Sequence, residues 1–76
     1  MNQTQRIEAE LQQALSELRS RLHDLSEHAA RIAAELEERG ESARVPASII
    51  GAGGVAIDVL CGRIAFLRDL KGLAPQ

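Results

Sequence analysis

The sequence predicts an all-α protein: an antiparallel helical hairpin whose copies assemble into an oligomeric helical bundle. Three observations carry this expectation. Between Leu11 and Leu36 the residues Leu11, Leu15, Leu18, Leu22, Leu25, Ala29, Ile32 and Leu36 recur at alternating steps of four and three, which is the seam of a coiled coil. A short break containing Gly40 and Pro46 follows. Beyond it lies a second helical stretch, rich in glycine and aliphatic residues and less regular than the first.

The first helix is expected over residues 3–39, a span without proline or glycine and filled almost throughout with strong helix formers. Asn2 or Thr4 can cap its start. Glu17 and Arg21, Glu27 and Arg31, and Glu35 and Arg39 stand four apart with the acid first, the favourable order, worth roughly 0.2–0.5 kcal/mol per pair. Ile7, Ala14 and Ala33 widen the seam into a broad stripe, which suits a bundle of three or more helices better than a two-stranded zipper. Gly40 is the natural stop.

Residues 40–46 read as the connection, with Pro46 placed for the first turn of the next helix. The second helix is expected over residues 47–71. Ile50, Ile57, Leu60, Ile64 and Leu67 form one stripe. Ile49, Ala52, Val55, Ala56, Val59 and Phe66 cover much of the remaining surface, as on a helix surrounded by neighbours. Gly72 and Pro75 end it, leaving residues 72–76 as a tail. At about 1.5 Å per residue the two helices should measure roughly 55 Å and 37 Å. Folded together, they would leave the Leu11–Leu18 end without cover from its own chain. That overhang predicts an oligomer, whose interface is expected to comprise Leu11, Leu15, Leu18, Leu22, Leu25, Ile32, Leu36, Ile50, Ile57, Leu60, Ile64 and Leu67.

Size points the same way. At 76 residues a single core barely offsets chain entropy, and the usual remedies are disulfides, metals or association. One cysteine excludes an internal disulfide, and two histidines with it make no credible zinc set. Phe66 is the only aromatic residue, so the core must be aliphatic. A net charge of −2, without basic runs or interleaved aromatics, argues against nucleic acid as a partner. The polar N-terminus lacks the apolar core of a signal peptide, so a cytoplasmic protein is expected.

Residue types that could carry chemistry are few. Gly51, Gly54, Asp58, Gly62 and Ala65 follow steps of three, four, four and three and so line one face of the expected second helix, with Arg63 beside it. Close helix packing is the ordinary explanation of such a face; a groove for a nucleotide-like anion, aided by Arg44, Arg63 or Arg68, is the sharper one. Ile49-Ile50-Gly51-Ala52-Gly53-Gly54 superficially resembles the glycine turn of a dinucleotide site, but that motif needs a βαβ unit the remaining chain is too short to supply. Residues 45–62, flanked by Arg44 and by Arg63, Arg68 and Lys71, have about the minimum length of a membrane span, against which stand Asp58 within it and Pro46 and Ser48 at its start. Asp24 and His28 share a helix face and read as a solvated pair. Cys61 reads as a buried structural thiol. No catalytic constellation, metal set or cofactor motif emerges. The expected function is that of a non-enzymatic, homo-oligomeric interaction or regulatory module that binds another protein. In architecture it is comparable to phage- and plasmid-encoded accessory factors. A small-ligand binder and a membrane-associated coiled coil are the alternatives.

Overall fold

The computed structural model describes residues 3–73, with every side chain except that of Glu41. Among these residues the fold is all-α, with helices α1 (Gln3–His23), α2 (Glu27–Arg39) and α3 (Ala47–Leu73) and a 3₁₀ turn at Gly40–Ser42 between the last two.

The predicted first helix is therefore two helices. The chain turns at Asp24 and Leu25 and restarts at Ser26. The Ser26 backbone is extended, and its Oγ accepts from the Ala29 N–H at 3.1 Å while its carbonyl accepts from Ala30 N–H at 2.9 Å. A serine placed this way satisfies amide groups that the start of a helix otherwise leaves without partners. Charges match the new ends: Arg21 occupies the last turn of α1 and Glu27 the first turn of α2, each favoured by the helix dipole there. Packing supplies the driving force. A straight helix over residues 3–39 would be about 55 Å long, whereas the folded chain is only 38 Å along its longest axis. Bending at residues 24–26 lays Ala29, Ile32, Ala33 and Leu36 back onto the leucines of α1.

Helix α1 is thus the centre of the molecule, with α2 and α3 both packed against it. Lys71 Nζ lies 4.0 Å from Glu8 Oε1, which joins the end of α3 to the start of α1. At the other end, Arg21, Asp24 and Leu25 border one depression together with Gly53, Ala56 and Ile57. The long part of α3 therefore runs antiparallel to α1. Every fully buried residue described is aliphatic, and Leu11, Leu15, Leu18, Leu22 and Leu36 are the largest side chains with no meaningful exposure.

Gly40 caps α2 as expected, at φ 62°, with its N–H donating to the Leu36 carbonyl; a side chain would be strained there. Pro46 stands just outside α3, and its carbonyl accepts from Ile49 and Ile50 N–H at 3.0 and 3.1 Å. Helix α3 continues to Leu73, past the predicted stop at Gly72; Pro75 lies outside the described residues. Asn2 lies outside them as well, and Thr4 sits within α1 rather than at its cap. Of the three expected i,i+4 ion pairs, only Glu17–Arg21 forms among the described residues, at 3.6 Å.

A second departure lies within α3. Gly54 takes φ 75° and ψ −163°, a combination open essentially only to glycine. The helix kinks there. In a straight helix Ile50 and Ile64 would stand about 21 Å apart, yet here both border one depression with Leu18 and Leu36. Gly53 serves the same bend: a Cβ on it would meet the Ile57 side chain, with the Ile57 Cβ only 2.8 Å away.

Replacing Leu22 by alanine should cost about 2–5 kcal/mol, read from urea unfolding followed by circular dichroism. Ser26→Ala should cost about 0.5–2 kcal/mol with helix content unchanged. A Ser26→Ala chain as stable as the parent would show that the break does not depend on its cap.

Candidate interaction surface

The residues expected to form an oligomer interface are, with two exceptions, the interior of a single chain. Leu11, Leu15, Leu18, Leu22, Ile32, Leu36, Ile57, Leu60, Ile64 and Leu67 are all buried within it; Ile50 is half-buried, and Leu25 is left exposed by the turn it occupies. The reason is the break at residues 24–26. Once α2 folds back, no overhang remains, and α3 covers the Leu11–Leu18 end of α1.

What remains uncovered lies on the opposite side of α3. Val55 is 79% exposed, Val59 61%, Phe66 61% and Leu73 82%. With Gly62 and Asp69 between them, these residues follow steps of four, three, four, three and four along the helix after the kink. That is a heptad seam, out of phase with the buried stripe of Ile57, Leu60, Ile64 and Leu67. The apolar residues that cover much of the helix beside that stripe are thereby explained, since two stripes on opposite faces overlap in the sequence. Asp58 and Arg63 flank the exposed seam. Both are exposed, and neither forms an ion pair among the described residues.

The small-residue face is not assembled as expected. Gly51, Gly54, Asp58, Gly62 and Ala65 are all exposed. A Cβ added at Gly51, Gly54 or Gly62 would meet nothing within 4 Å. Within the chain, then, these glycines do not let helices approach closely. The kink also takes Gly51 off the line of the others, and Gly54 answers to backbone conformation. The arginines expected to serve that face part company: Arg44 and Arg68 border a depression lined by Leu18 of α1, Leu36 of α2 and Ile64 of α3, while Arg63 stays beside the exposed seam.

Asp24, His23 and His28 are exposed, and no group of three histidine, cysteine or acidic side chains suited to a metal is present among the described residues. Cys61 is half-buried rather than buried; burial, and secondarily the Asp58 carboxylate, push its thiol pKa up. It is therefore protonated and slow to react at neutral pH. By length and composition alone α3 could cross a membrane, with a mean hydropathy of 1.7 in its most apolar window. In the folded chain Ile57, Leu60, Ile64 and Leu67 of α3 are buried in the core, while only 22% of that apolar window is buried.

The glycines separate experimentally. Gly54→Ala should destabilise the fold by about 1–3 kcal/mol. Gly62→Ala, in helical backbone with open space around it, should stabilise it by up to about 1 kcal/mol. Thermal melts of the two variants shifting in the same direction would contradict this placement.

Comparison with protein-family models, with curated proteins and with solved structures finds no match to this chain.

Proposed function

We propose that this chain is a non-enzymatic, homo-oligomeric helical protein acting as a protein–protein interaction or regulatory module, and that a second copy binds along the outward face of α3. The observation that carries the reading is the exposed seam of Val55, Val59, Phe66 and Leu73 on a helix whose other face is already committed to the core. Scattered exposed aliphatics are ordinary on a protein surface, whereas an ordered apolar stripe marks a contact.

Charge favours a second copy as occupant, and a parallel arrangement. Asp58 and Arg63 take the positions flanking the seam that face each other between parallel helices, five residues apart. Each chain would then offer its Asp58 to the partner's Arg63 and its Arg63 to the partner's Asp58, so that two unpaired charges on each surface become two ion pairs. Asp69, within the seam, opposes the contact and confines its tightest part to Val55–Phe66.

Light scattering after size exclusion in detergent-free buffer should give twice the chain mass of 8.2 kDa. Phe66→Ser should shift the protein to monomer with its circular dichroism unchanged, and Asp69→Leu should tighten the dimer. A chain that stays monomeric at every concentration overturns self-association, and one that dissolves only in detergent favours a membrane role for α3.

Orientation has its own test. An exposed ion pair is worth about 0.2–1 kcal/mol, so turning two of them into repulsions by Asp58→Arg or Arg63→Asp should weaken the dimer roughly tenfold. The combined swap should restore it. Additive losses in the double variant would exclude the parallel pairing.

A further inference from the structure

The depression bordered by Arg44 and Arg68 has a different character from the seam. It encloses about 300 Å³, at the lower end of the roughly 300–1,000 Å³ typical of small-molecule sites. Leu18 of α1, Leu36 of α2 and Ile64 of α3 contribute to its walls, and the chain from Ala43 to Ile50 runs along it, adding Val45 and Ile50. The kink at Gly54 brings Ile50 there. Among the described residues the only charged side chains on its border are the two arginines, and none that line it is acidic, although acids outnumber bases in the chain as a whole, 11 to 9. Neither arginine forms an ion pair or a hydrogen bond among the described residues.

An apolar hollow with two unpartnered guanidinium groups at its edge has a definite complement. The hollow favours a short hydrocarbon body, because burying it removes apolar surface from water. The guanidiniums favour a planar or tetrahedral oxyanion, to which each can donate two parallel hydrogen bonds. A single anionic head also relieves the repulsion between two cations held on one border. We propose that this crevice binds a small amphiphilic anion, a carboxylate or phosphate monoester on a short apolar tail, with Arg44 and Arg68 holding the head and Leu18, Leu36 and Ile64 the tail. The site does not depend on self-association through α3, since none of the residues Val55, Val59, Phe66 or Leu73 lines it. Cys61 does line it and serves as a reporter.

Decanoate is the probe, with decanol as the neutral tail and inorganic phosphate as the head alone. Titration of the ¹⁵N-labelled full chain should show saturable decanoate binding, with amide shifts centred on Leu18, Leu36, Val45 and Ile64, and alkylation of Cys61 should slow as the site fills. Arg44→Gln combined with Arg68→Gln should weaken decanoate binding at least tenfold; both side chains are exposed, so the fold should persist. Decanol and phosphate should each bind at least tenfold more weakly than decanoate, and the double substitution should leave decanol binding unchanged. Equal affinity for decanoate and decanol would overturn the proposal, as would unchanged decanoate binding in the double variant. So would shifts confined to Val55, Val59, Phe66 and Leu73, which would mark adsorption to the exposed seam. Phosphate binding as tightly as decanoate would deny the tail any role and overturn it equally.

Discussion

Covering the leucines of α1 is the constraint on which the rest of the structure depends. A chain with one aromatic residue and no disulfide has only aliphatic area to set against conformational entropy, which costs about 1–2 kcal/mol per residue for the backbone alone. Leu11, Leu15, Leu18 and Leu22 form the largest contiguous block of that area, and all are fully buried. Two helices are needed to cover a stripe as wide as the one Ile7 and Ala14 help to make. The chain supplies them by bending at residues 24–26, through the 40–46 connection and at Gly54.

Much of this was legible in the sequence. The heptad spacing identifies the residues that become the core, and Gly40 ends α2 where its position implies. Helix α3 starts at Ala47 as expected. The number of helices was not legible from periodicity, because the stripe keeps its phase across the break, so that Ala29, Ile32 and Leu36 continue the pattern of the preceding leucines. Local chemistry held the missing signal: Ser26 followed by Glu27, preceded by Arg21 and His23, is a helix end and a helix start written without glycine or proline. The seam names which residues avoid water and leaves open whose residues they meet.

The surface was harder to read than the core, for a related reason. On α3 two apolar stripes of opposite phase merge into a segment that looks apolar all round. Only when one stripe is claimed by α1 does the other stand out as exposed. The glycine face illustrates the reverse. Regular spacing suggested a groove, whereas Gly54 is explained by its own dihedral angles and Gly62 touches nothing. The two arginines at the crevice lie 24 positions apart and border one depression because the chain between them bends at the Gly54 kink of α3.

The turn between α1 and α2 has a bearing on how copies of this chain could trade parts. Asp24, Leu25 and Ser26 are each compatible with helical backbone, and little beyond the Ser26 cap and the docking of α2 keeps them bent. Short hinges of this kind are where protomers exchange identical elements. Straightened through residues 24–26, the chain would present the same leucines in the same phase to the α2 of a neighbour. One seam thus has two ways of being closed, from within or from without, and the bend decides between them.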